Sequence, residues 1–136
     1  MSRRAFASIA AVVSLINGVV GLVAPTAAAA LYGVSLDSQS ILTAQLLAGS
    51  YLGYAVITWT TRGCTDVALC RGLDAGNFVA WALSAVIWFY AASTGATNAV
   101  GWVGAGLTVV FALGWAYFVA TDHATGTLTS TRSARI

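Results

Sequence analysis

Four apolar stretches, Ala5 to Val23, Gln39 to Thr60, Leu73 to Ala92 and Asn98 to Ala120, are separated by short polar connections along this chain. Each is about as long as the roughly 20 residues an α-helix needs to cross the hydrocarbon core of a bilayer. The pattern predicts an all-α membrane protein, a single domain built as an antiparallel up-down four-helix transmembrane bundle. Between the first two stretches lies a shorter apolar segment, Thr26 to Tyr32, preceded by Pro25 and closed by Gly33. Proline is favoured in the first turn of a helix and glycine just past its end, so this segment reads as a short helix lying in the interface. Asp37 and Ser38 supply side-chain oxygens to cap the helix that follows.

Charge then orients the spans. All six basic residues are arginines: Arg3 and Arg4 before the first stretch, Arg62 and Arg71 between the second and third, Arg132 and Arg135 after the fourth. With four crossings they share one side, and the positive-inside rule makes that side, with both termini, cytoplasmic. The expected location is a bacterial inner membrane. The start, Ser2-Arg3-Arg4-Ala5-Phe6 followed by an apolar run and Ala24 to Ala30, imitates a twin-arginine signal with a small-residue cleavage site. Cleavage would leave three spans and separate the termini from the arginine side, so the uncleaved reading is preferred.

Composition removes several functions. The 136 residues are 59% hydrophobic and 7% charged, against about 25% charged in ordinary soluble domains. Lysine and glutamate are absent and there is one histidine, which leaves little for general acid–base work. No nucleophile–base arrangement, phosphate-cradling loop or H-E-x-x-H motif is present, so no enzymatic activity is expected. A net charge of +2 gives no reason to expect nucleic acid, whereas anionic lipid headgroups suit the arginine side. Cys64 and Cys70 are read as free thiols, because the side they face is normally reducing and their spacing fits neither a redox nor a zinc motif. His123, Asp122, Asp66 and the two cysteines could share that side, but the irregular spacing gives no metal site.

Three groups of residues are candidates for function. Gln45, Gly49 and Gly53 recur at four-residue steps, and Gly49-Ser50-Tyr51-Leu52-Gly53 is a G-x-x-x-G sequence. Such faces bring helix backbones together in lipid, either within one chain or between subunits. Gly101 and Ala105 repeat the theme in the fourth stretch. A second group is polar. At 1.5 Å per residue, Asn17 lies roughly 18 Å from the arginine end, Gln45 roughly 22 Å, and Ser84 and Thr108 about 16 to 18 Å. These four therefore form a layer near mid-membrane, either as interhelical hydrogen bonds or as a pocket for a quinone, pigment or lipid. Arg62 with Asp66, and Arg71 with Asp74, form the third group, spaced to make ion pairs if that connection is helical. Asp74, just inside the third stretch, is the one ionisable group with any claim to ion handling. Trp81 sits well inside the same stretch, where packing explains it.

The succession Asn17-Gly18…Gly21-Leu22…Pro25, Leu31-Tyr32-Gly33…Leu36-Asp37 and Ala44-Gln45-Leu46-Leu47…Gly53…Trp59…Arg62 resembles small uncharacterised bacterial four-helix membrane proteins, and more loosely the DoxX-like group. The resemblance implies an up-down four-helix fold and association with membrane redox systems. The leading functional expectation is a non-catalytic subunit or stabilising factor of a larger integral membrane complex, respiratory or photosynthetic. The alternatives are a membrane protein that holds a quinone, pigment or lipid, and a small-solute transporter.

Overall fold

A computed structural model describes the backbone of residues 1–133 and the side chains of residues 1–121. It contains five helices, α1 (Arg3–Val23), α2 (Pro25–Leu31), α3 (Ser38–Thr61), α4 (Val67–Ser93) and α5 (Val100–Ser133). Four of them, α1, α3, α4 and the Val100–Thr121 part of α5, are long and apolar enough to cross a membrane. Their outward faces carry large aliphatic side chains at high exposure, among them Ile16, Val19, Leu46, Leu83, Val86, Val103 and Leu113. A water-soluble chain rarely leaves so much apolar surface uncovered, whereas hydrocarbon is the solvent such faces suit.

The helix ends follow local chemistry. Ser2 Oγ accepts from the Ala5 N–H at 3.3 Å to start α1, and Asp37 Oδ1 accepts from the Ser40 N–H at 2.8 Å to start α3. Pro25, without an N–H to contribute, opens α2 at its first position. Gly33 then turns the chain at φ +75°, a conformation that disfavours any side chain. Two helices are longer than their apolar stretches. Asp66 accepts from the Leu69 N–H at 2.8 Å and begins α4 at Val67 rather than at Leu73. At the other end, α5 continues to Ser133, beyond the last apolar residue of its stretch. Hydropathy marks where a helix can be dissolved in lipid, while hydrogen bonding decides where it starts and stops.

The helices associate as two pairs, α1 along α3 and α4 along α5. Close approach in the first pair comes from Gly18 and Gly21 of α1. A Cβ on Gly18 would lie 2.6 Å from Leu52 Cδ2, and one on Gly21 would lie 3.0 Å from Ala48 Cβ. In the second pair the Trp88 ring occupies the space over Gly104, and Trp81 stacks on Phe111 at 4.5 Å. Small residues do this because, in lipid, packing rather than hydrophobicity holds helices together. The pairs are joined by an aromatic core of Phe6, Trp81, Phe111, Trp115 and Phe118, backed by Ala7, Ala10 and Ala112. Phe6 from α1 reaches across to lie against the backbone of Gly114, 5.1 Å from the Trp115 ring and 5.5 Å from Phe118. Bulky rings between the pairs hold the backbones apart, so the joint is made by side chains.

Candidate functional site

The start of α1, the end of α3 and the first turns of α4 meet around one carboxylate. Asp74 is 0% exposed, and Arg3 grips it with two parallel donors: Nε to Oδ2 at 2.7 Å and Nη2 to Oδ1 at 2.6 Å. The remaining guanidinium nitrogen, Nη1, points to the Thr61 and Arg62 carbonyls at 3.4 and 3.5 Å. These are among the carbonyls a helix leaves unsatisfied at its C-terminus, where a cation also complements the helix dipole. One side chain thus ties three helices. Cys70, Asp74, Asn77 and Trp81 form the buried face of α4, and the Trp81 indole continues the polar thread by donating to Tyr54 Oη on α3 at 2.7 Å.

This arrangement corrects the expected ion pairs. Arg62 and Asp66 do not pair, because the chain between them is not helical: Arg62 ends α3 and Asp66 caps α4. Arg62 instead lies over the Trp59 ring, 3.9 Å from its centroid, and donates to the Trp59 carbonyl. Arg71 and Asp74 share α4, but Arg71 is exposed while Asp74 faces the interior, where Arg3 reaches it. The reading of Cys64 and Cys70 as free thiols is also overturned. They form a disulfide with Cα atoms 5.9 Å apart, within bridging range. The early start of α4 places Cys70 in its first turns, and a Thr61–Cys64 turn brings Cys64 back toward it. Compartment, not geometry, had decided the sequence reading. Among the described residues no group of three potential ligands could hold a metal ion, and the side chains of His123 and Asp122 lie outside those residues.

The polar layer is distributed rather than convergent. Gln45 Nε2 bridges helices, donating to the Leu22 carbonyl of α1 at 3.2 Å. The others bond within their own helices: Asn17 to Val13 at 2.8 Å, Ser84 to Ala80 at 2.8 Å, and Thr108 to Gly104 at 3.0 Å. Asn17 and Ser84 nevertheless face a common space. A groove of about 440 Å³ opens between the two helix pairs beyond the aromatic core, lined by Asn17, Tyr32, Tyr51, Ser84, Trp88 and Thr97 among mostly apolar neighbours. Tyr32 and Trp88 pack against each other in its wall, tilted by 47° with ring centroids 4.7 Å apart. Asn98 braces this end, its N–H donating to the Tyr32 carbonyl at 2.8 Å and its Nδ2 to the Leu31 carbonyl at 3.0 Å.

No protein-family model, characterised protein or solved structure matches the chain. Its own geometry has to carry the functional argument. Gly101 and Ala105 are buried, the former beneath Thr97 and Ala92. Gly49 and Gly53 differ: a Cβ on either would meet nothing within 4 Å.

Arg3 and Asn98 are the two residues that sequence reasoning missed. For Arg3 the signal was depth, since it stands at the start of the first span and Asp74 one turn inside the third, on the same side by charge. For Asn98 it was position, directly ahead of a helix start and opposite the Tyr32-Gly33 turn.

Proposed function

We propose that this chain is a non-catalytic, four-span subunit or stabilising factor of a larger membrane complex, docking a partner helix on the Gly49–Gly53 face of α3. It is set in a bacterial inner membrane as an up-down bundle with both termini and the arginines cytoplasmic. The observation that carries the reading is the contrast among glycines. Gly18, Gly21, Gly104 and Gly114 each receive a side chain of this chain, whereas Gly49 and Gly53, like the equally spaced Gly72 and Gly76 at the start of α4, receive none. A helix gains close backbone approach from such a pair only when a second helix occupies it. The acidic groups support a structural role, with Asp74 clamped by Arg3 and Asp37 and Asp66 spent on helix caps. Extraction in mild detergent followed by sizing and mass analysis tests the proposal. Larger membrane subunits should co-migrate with the wild type and be lost from Gly49→Leu/Gly53→Leu. A wild-type chain that runs alone overturns it.

A second reading is favoured by the groove between the helix pairs. Its lining is uncharged, with amide and hydroxyl groups beside two packed aromatic rings, which suits the neutral ring of a quinone or pigment. Asn17→Leu together with Ser84→Leu should abolish a retained ligand while the fold persists. Ligand content unchanged by that pair of substitutions removes this reading.

A further inference from the structure

A different surface points to a bound lipid. On the outer side of the α1–α3 pair lies a groove of about 300 Å³ whose lining includes Val12, Leu15, Val56 and Trp59. It is almost wholly apolar. Its end nearest the arginines is cationic. Trp59 forms the last wall, and the Arg62 guanidinium lies over that ring. Helix α1 supplies the opposite wall through Ala11, Val12 and Leu15, and beyond that wall Arg4 stands eight residues before Val12 and eleven before Leu15. Helical spacing puts the three on one face, with Arg4 two turns nearer the arginine end. Among the described residues neither Arg4 nor Arg62 has a carboxylate partner, Arg3–Asp74 being the ion pair there, and Arg62 engages a neutral group, its Nη1 donating to the Trp59 carbonyl. Two uncompensated guanidiniums above an apolar slot complement one class of molecule: an acyl chain that ends in a phosphodiester.

We infer that this groove is a binding site for an anionic phospholipid, its chain lying between α1 and α3 and its phosphate between Arg4 and Arg62. The planar guanidinium forks suit phosphate oxygens, each able to donate two parallel hydrogen bonds. The stacked indole restrains Arg62 and lowers the conformational freedom lost on binding. The site rests on the membrane-spanning reading and is independent of any partner subunit. It differs from general attraction to a charged leaflet because it demands a chain-shaped slot as well as charge.

The test is lipid retention by the full-length protein in detergent, read by native mass spectrometry with phosphatidylglycerol and phosphatidylcholine of identical chains. Phosphatidylglycerol should be retained roughly tenfold or more over phosphatidylcholine. Arg4→Gln/Arg62→Gln should bring that ratio close to one with an unchanged circular dichroism spectrum. Val56→Trp, which fills the slot from an exposed position, should lower retention of both lipids. Equal retention of the two lipids by wild type overturns the inference, as does a preference that survives loss of both arginines. Retention unaffected by Val56→Trp also overturns it, since the chain would then lie elsewhere. Protein that runs without partners yet keeps phosphatidylglycerol defeats the subunit proposal and leaves this site standing.

Discussion

Asp74 and Arg3 are unequal partners, and that inequality predicts how each tolerates loss of the other. Asp74 is 0% exposed, while Arg3 keeps 17% of its surface free and has the longer side chain. Removing Arg3 strands a buried carboxylate, a loss of about 3 kcal/mol or more. Removing Asp74 leaves a cation that can turn its head toward water along a flexible stem. Thermal unfolding in detergent should therefore rank Arg3→Gln as more destabilising than Asp74→Asn, with the double variant more stable than Arg3→Gln alone. The opposite ranking would mean the carboxylate is not desolvated. Asp37 provides a pH prediction at the other end of the molecule. A hydrogen bond from the Ser40 side chain, and then one from the Ser40 backbone N–H, hold its carboxyl below the usual carboxylate range. Since the folded pKa is depressed, its support for α3 is complete above the unfolded value of about 3.9. That support is lost as pH falls through the lower folded value. Protection of the amides at the start of α3, taken relative to their intrinsic exchange rate at each pH, should fall in acid, and Asp37→Asn, which still caps, should remove the dependence. The Asp37 cap could be read from sequence because its partner is three residues away. The Arg3–Asp74 pair could not, because 71 residues separate its members and nearer arginines competed for the role.

Helices differ in whether their glycines are spoken for. Gly114→Ala would drive a methyl group into the Phe6 ring, and Gly18→Ala would press on Leu52 and on the Ala48 carbonyl 3.1 Å away. Overpacking of this kind costs about 1 to 3 kcal/mol, so both variants should unfold earlier in detergent. Gly49→Ala and Gly53→Ala meet open space. They should leave the isolated chain as stable or raise its stability by about 0.5 to 1 kcal/mol, the usual helical preference for alanine. A monomer destabilised by these two changes would show that the face is already filled. The Cys64–Cys70 bridge is checked more simply. Protein purified in air should take up no maleimide-polyethylene glycol until it is reduced, and then two per chain. At this scale the sequence was informative about apolar length and poor about termini. Four long helices and the short Pro25 helix were all visible as hydropathy and punctuation. The early start of α4 was not, because Val67 to Gly72 is only mildly apolar and its beginning depends on one Asp66 hydrogen bond.

The whole molecule is two helix pairs joined through side chains, closed by aromatic rings around Phe6 and Trp115 and open beyond them. Phe6 crosses from α1 to touch Phe111, Trp115 and Phe118, as Trp81 crosses from α4 to Tyr54. Phe6→Ala should loosen the joint, at about 3 to 5 kcal/mol for loss of a buried phenyl ring. With the Cys64–Cys70 bridge reduced so that it no longer joins the fragments, proteolysis of the α3–α4 connection should then release two separable halves, which wild type holds together. The four long apolar helices were legible in the sequence because hydropathy acts on whole spans. The α1–α3 contact was not: the G-x-x-x-G sequence drew the eye to Gly49 and Gly53, while α1 meets α3 through Gly18, Gly21, Ala48 and Leu52.

Order of synthesis adds a consequence of the Arg3 clamp. Arg3 emerges from the ribosome long before Asp74, and until the third long helix arrives its positive head has no counter-ion to grasp. The first pair of crossings can keep that head in water meanwhile, so Asp74, which is the member buried in the finished bundle, finds its cation already waiting.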